Sequence, residues 1–183
     1  SYRSEDYLTA QVLAGVLGGG ASSRLFQQVR ERRGLCYSIY AFVSAFNDAG
    51  LFGVHAATGP KDVTKLIGVV MDEIAEVAEA GPSIAEVARA KVQLKAGLLM
   101  SLESSGARAE QMARQVAVHG RPLETAELVA RLEAVTVERV RSMMRGLLAG
   151  AQPIWIEVGA KASRRGHDTV LERIGRLGRI AAE

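Results

Sequence analysis

Between Tyr7 and Leu17 apolar residues recur at helical spacing on adjacent stripes, Leu8, Val12 and Val16 on one and Leu13 and Leu17 beside it. Glu5 and Asp6 stand where the positive end of that helix favours acids. Gly18-Gly19-Gly20 stops it. Cys36 to Phe46 is rich in aromatic and β-branched residues and reads as a strand. Asn47-Asp48-Ala49-Gly50 turns the chain, and Leu51 to Thr58 returns as a second strand before Gly59-Pro60. Both faces of this hairpin are largely apolar, so one must meet helices and the other is expected to be partly covered.

A long helix follows, with Val63, Leu66, Ile67, Val70, Met71, Ile74 and Val77 on a single stripe. Gly81-Pro82 breaks it. Ser83 with Glu86 forms a capping box for the next helix, which buries Val87, Leu94 and Leu98 and runs to about Leu102. Ser104-Ser105-Gly106 punctuates. Ala107 to Val118 then reads as a small-residue helix with Ala109, Ala113 and Val116 on one side, stopped by Gly120-Arg121-Pro122. Further helices are expected around Ala126–Glu133 and Thr136–Leu148, the second capped by Thr136, then a final strand over Gln152–Val158 and a terminal helix over Thr169–Leu177. The order predicts an α+β fold, an antiparallel sheet with helices packed on one face.

The stretch between the first helix and the hairpin carries the candidate chemistry. Ser22 or Ser23 is placed to cap a short helix that ends at Arg33, where Gly34 fits a left-handed cap and Leu35 supplies the apolar residue after it. Arg30 then lies in the last helical turn and Tyr37 just inside the next element. Such a helix-to-strand reversal can bring both side chains to one end of a sheet. On the residues alone, Arg30, Arg32 and Arg33 complement the helix dipole or pair with Glu31, and Tyr37 is a strand tyrosine with its hydroxyl in water. Arg24 is expected to cap or pair locally. Gly18–Gly20 lacks the lysine and preceding strand of a phosphate loop, and is read as a place where the chain turns closely.

LGGGASSRLFQQVRERRGLCYSIYAF followed by NDAGLFGVHAATGP resembles the C-terminal half of the pitrilysin and mitochondrial-processing-peptidase family of inverted zincins. The motif block carries the resemblance, and the order of elements fits one family domain from about Tyr7 to Gly159. In that family one half carries an HxxEH zinc helix, and the other supplies an arginine and a tyrosine that hold the substrate. Arg30 and Tyr37 match the spacing of that pair. The resemblance implies that they hydrogen-bond the peptide backbone or the developing oxyanion beside a zinc-bound water on the other half, whose HxxEH glutamate is the general base. With only Gly18-Gly19-Gly20-Ala21 before its SRL, the chain resembles the one-chain or catalytic-subunit type rather than the subunit with a longer glycine-rich insertion. It also implies a strand before the helix at Tyr7, so the chain is expected to be a domain fragment lacking its first strand.

Composition changes this picture little. The chain has 183 residues, 48% hydrophobic and 23% charged, as in an ordinary globular domain. The expected organisation is one α+β domain over residues 1–160 and a basic segment, helical in part, over 161–183. From Lys161 onward six basic residues face three acidic ones, which accounts for the whole net charge of +3. That segment has no aromatic residue among its charges, which argues against nucleic acid. Neither long uncharged run, Leu8–Ser23 or Gly34–Asn47, suits a bilayer. Arg3, Glu5 and Asp6 interrupt any apolar leader core, and Cys36 is the sole cysteine, so no internal disulfide exists. A bacterial cytoplasm is expected, with the mitochondrial matrix and periplasm left open.

His55, His119 and His167 are far apart and neither HExxH nor its inverse occurs. His55 is read as packed or hydrogen-bonded in its strand, His119 as a helix-end residue. The chain is expected to hold no metal or other cofactor itself, zinc belonging to the partner half. Taken together, the reading is a substrate-binding half of a zinc endopeptidase, with Arg30 and Tyr37 as its catalytic and substrate-binding residues, inactive in isolation. Its partners would be a zinc-carrying N-terminal half or subunit and a peptide, with a homodimer possible and neither nucleic acid nor membrane involved. The alternative is a non-catalytic assembly or scaffold domain of the same fold.

Overall fold

A computed structural model describes residues 1–150, 153–159 and 164–181. In chain order it contains α1 (Tyr7–Gly18), a π-helix (Phe26–Glu31), β1 (Ser38–Ala45), β2 (Gly50–Ala57), α2 (Val63–Glu79) and α3 (Ile84–Ser101). Then come α4 (Ser105–His119), α5 (Thr125–Glu133), α6 (Val137–Gly150) and α7 (Arg164–Ala181). The expected α+β character is present as a helix-rich domain with a two-stranded antiparallel sheet.

α1 is the centre. Val12, Leu13 and Leu17 are fully buried, with Val16 nearly so, because β1, α3, α5 and α6 pack around them. Its two apolar stripes leave no continuous polar face to turn to water. The hairpin joins the core around it through Ile39, Ala41, Phe52, Val54 and Ala56, in a register from Ser38 opposite Ala57 to Ala45 opposite Gly50. A two-stranded hairpin is marginal alone, and α1 supplies the surface it needs. The approach at the end of α1 is close: a Cβ on Gly18 would sit 2.2 Å from the Ala41 nitrogen. The glycine triplet therefore serves contact between helix and strand, and none of its members has positive φ.

The capping box at Ser83 forms as expected, and Thr136 accepts from the Arg139 N–H at 3.3 Å. Arg24 does not pair locally. Its Nε and Nη2 grip both oxygens of Glu86, at 2.6 and 3.0 Å, although Glu86 is 62 residues away in sequence. The buried Nη1 makes no hydrogen bond and lies 3.2 Å from Glu76 and 3.7 Å from Glu73. This cluster ties the turn before the π-helix to α2 and α3. Burial alone would raise the Glu86 carboxyl, but hydrogen bonds from Arg24 and Ser83 outweigh it and hold it at about 2. Burial raises Glu73, with Glu76 adding to the effect and Arg24 opposing it.

Several expectations change. Ser23 does not cap: its hydroxyl donates to the Gly20 carbonyl at 2.6 Å. The short helix is a π-helix, not an α-helix. On the outer face of the hairpin Tyr40 and Leu51 are exposed, so among the described residues that face is less covered than its apolarity suggests. α4 has no buried residue, and in α3 burial falls on Val87 and Ala90 while Leu94 and Leu98 stay half-buried. The final strand is absent over the described part of Gln152–Val158; Gln152 itself lies outside the described residues. Trp155 and Glu157 are half-buried while Ile154, Ile156 and Val158 are exposed, so the period of two survives. A strand exists only through hydrogen bonds to a neighbour, and among the described residues none is paired with this segment. α7 extends beyond the expected Thr169–Leu177, and its Val170 and Leu177 join the core against α2 and α6.

Two outcomes test this packing. Gly18→Ala should cost more than about 2 kcal/mol in urea unfolding because backbone must move, whereas Gly97→Ala, where a Cβ meets nothing within 4 Å, should gain about 0.5–1 kcal/mol of helix propensity. Glu86→Gln should lose about 2 kcal/mol near neutral pH through its bonds to Arg24 and Ser83. Because the folded Glu86 carboxyl is lowered from 4.5 to about 2, its contribution is full above pH 4.5 and disappears as pH falls toward 2. Glu73, being raised, works in the opposite direction as pH rises past its ordinary value. Unfolding midpoints followed through this acid window should therefore fall more shallowly in Glu86→Gln than in the native protein.

Candidate functional site

The π-helix is bracketed by two well-defined anchors. At its start, buried Leu25 and Val29 enter the core and Arg24 holds Glu86. At its end Gly34 takes φ +60°, the left-handed conformation that the sequence reserves for it. The Gly34 N–H donates to the Arg30 carbonyl and the Leu35 N–H to the Val29 carbonyl, each at 2.9 Å. Both bonds reach one residue further than in a Schellman cap, as befits a widened helix. Within it, the Arg32 N–H donates to the Gln27 carbonyl five residues back, at 3.0 Å.

This widened turn presents Arg30. Its guanidinium carbon lies 4.6 Å from the Phe26 ring centre and 6.0 Å from that of Tyr37. Its one ionic contact among the described residues is with Glu31, long at 3.9 Å. The helix-end role that any of three arginines could fill falls to Arg33, whose Nη1 donates to the Gln28 carbonyl and side-chain oxygen. Arg30 makes no side-chain hydrogen bond among the described residues, and its side chain is 40% exposed.

Tyr37 is fixed by backbone rather than by its side chain. Its N–H donates to the Ala57 carbonyl at 2.9 Å, and Thr58 donates from its hydroxyl to the Leu35 carbonyl. The entry to β1 is thereby pinned to the exit of β2, and the Tyr37 ring stands out at 84% exposure. Arg30 and Tyr37 thus meet at one end of the hairpin, as the sequence suggests. Burial raises the Cys36 thiol between them, and Arg30 opposes that rise. A planar guanidinium and a phenol side by side, both open to solvent, are suited to a carbonyl or oxyanion.

Among the described residues no three His, Cys, Asp or Glu side chains gather closely enough to hold a metal. His55 is stacked on Tyr40, ring centres 4.9 Å apart, on the outer face of the hairpin, and His119 ends α4. The zinc that the resemblance implies does not fit these residues. No described helix is long and apolar enough to cross a membrane. Sequence reasoning missed two features: the Phe26 ring beside Arg30, signalled only by their spacing of four, and the Arg24–Glu86 clamp, for which local sequence offers no signal.

Comparison with known proteins agrees with this architecture. Residues 1–94 match the family described as "Peptidase M16 inactive domain". An uncharacterized zinc protease of Streptomyces coelicolor is 40% identical over 162 residues, covering 87% of this chain and 35% of the relative. The alpha subunit of the mitochondrial-processing peptidase of Neurospora crassa is 36% identical over 141 residues, covering 75% of this chain and 24% of that subunit. The crystal structure of a peptidase M16 inactive domain from Pseudomonas fluorescens superposes with a TM-score of 0.67 at 27% identity, over 79% of this chain and 34% of that one. The chain therefore spans roughly a third or less of the relatives it matches. With the motif block, the helix–hairpin arrangement and the matched residues in agreement, the chain belongs to the peptidase M16 family, as its inactive domain.

Proposed function

We propose that this domain is the substrate-binding half of a zinc-dependent endopeptidase, and that Arg30 and Tyr37 are the residues it brings to the reaction. The observation that carries the reading is the pairing of a part-exposed Arg30, without a side-chain hydrogen bond among the described residues, with an exposed Tyr37 at one end of the hairpin. Neither side chain has a structural task that explains its place: Arg33 serves the helix end, and the Tyr37 ring packs into no core. The metal would be held by a partner half, on the same polypeptide or a separate subunit, and this domain alone would cleave nothing.

In this role the two side chains act by geometry and charge. The Arg30 guanidinium offers in-plane N–H donors to a peptide carbonyl, and the Tyr37 hydroxyl donates alongside it. As the carbonyl carbon becomes tetrahedral its oxygen gains negative charge, and a fixed cation beside it stabilises the transition state more than the ground state. Closure of the partner half over the peptide would exclude water and strengthen both contacts.

Hydrolysis of a quenched peptide by the assembled peptidase tests the reading. Arg30→Ala should lower kcat about a hundredfold or more, and Tyr37→Phe by about tenfold, with binding of the partner half unchanged. Full activity in both variants would make the pair structural. Association of the two halves without cleavage of any peptide would favour the assembly-domain alternative.

A further inference from the structure

The Phe26 ring needs an explanation that the core does not provide. Its neighbours Leu25 and Val29 are fully buried, yet Phe26 belongs neither to the buried cluster nor to the apolar side chains packed against it. A large aromatic side chain has thus been placed at the edge of the domain on a helix whose other apolar positions point inward. What lies over it is the Arg30 guanidinium, at 4.6 Å from the ring centre.

We propose that Phe26 is a positioning residue for Arg30, holding the guanidinium by its flat face so that its hydrogen-bonding edge stays free for substrate. This rests on the role proposed for Arg30 above.

The physical argument concerns what a holding contact consumes. A carboxylate would fix an arginine by occupying one or two of its N–H donors in the guanidinium plane. Within this same segment Arg24 is held in that way, with Nε and Nη2 both spent on Glu86. Arg33 likewise spends Nη1 on Gln28. An aromatic face attracts the cation through its quadrupole and takes no donor from it. Arg30 makes no hydrogen bond from its side chain among the described residues, and its contact with Glu31 is long at 3.9 Å. The Tyr37 ring, at 6.0 Å, is at the outer reach of such an attraction and is itself exposed, so Phe26 is the closer and better anchored of the two rings. The backbone reinforces the arrangement. Leu25 and Val29 fix the helix against the core, and the widened turn between Phe26 and Glu31 sets ring and guanidinium over one another.

The test is carried out in the assembled peptidase with the quenched-peptide assay. Phe26→Leu should lower kcat about five- to tenfold with KM little changed, and Phe26→Trp should retain most activity, since indole is the stronger cation binder. Replacing Phe26 by its mono-, di- and trifluorinated analogues, which weaken the ring quadrupole with little change in shape, should lower kcat stepwise. In an Arg30→Ala background, Phe26→Leu should cost nothing further. If Arg30→Ala cripples the enzyme while the fluorinated series is flat, or Leu and Trp behave alike, Phe26 is a packing residue and the inference is overturned while the role of Arg30 stands. If Arg30→Ala is itself fully active, the substrate-binding role of Arg30 falls first, and this inference with it.

Discussion

A helix whose apolar residues spread over adjacent stripes must be wrapped on several sides, and this requirement on α1 arranges the domain. Val12, Leu13 and Leu17 are fully buried because the hairpin covers one flank while α3, α5 and α6 cover others. Each of those elements has an apolar face that needs a partner of its own, which α1 provides. The close seat of β1 on the end of α1 depends on a bare glycine, since a Cβ at Gly18 would collide with the strand backbone. Once α1 is enclosed, the short segment leaving it has little freedom. It must cross from the end of a buried helix to the start of a strand lying against that same helix.

That crossing is where the candidate site lies. The π-helix is held at its two ends by different means: a bidentate arginine–glutamate clamp near the start, a left-handed glycine at the finish. Between them the chain carries an extra residue per turn, a geometry that seldom persists without strong flanking constraints. Three of the segment's four arginines are sorted by what holds them. Arg24 is spent on a carboxylate, Arg33 on its own helix, and Arg30 rests over an aromatic ring. Identical side-chain chemistry thus serves three purposes, decided by backbone position alone.

The family relationship fits this division of labour. This M16 inactive domain has no metal-ligand cluster among its described residues, and its Arg30 guanidinium lies 6.0 Å from the Tyr37 ring centre at one end of the hairpin. Glu86 illustrates how the structural and functional layers are kept apart. It caps α3 through Ser83 and anchors the turn before the π-helix through Arg24, so one carboxylate joins three elements without touching the candidate site.

By itself the sequence determined every element whose cause is local. The capping box of Ser83 and Glu86, the stripe of α2, the hairpin around Asn47–Gly50 and the left-handed turn at Gly34 all depend on residues within a few positions of one another. The meeting of Arg30 and Tyr37 was legible for the same reason, since only a short reversal separates them. What the tertiary structure alone decided depends on distant partners. Arg24 could not be assigned to Glu86 from sequence, because nothing local selects one carboxylate among several. The segment over Pro153–Val158 keeps a strand's alternation yet is not a strand, because pairing belongs to a neighbour and not to the residues themselves. The widening of the Arg30 helix is of the same kind: composition specifies helix, but fixed ends specify how the chain between them must wind.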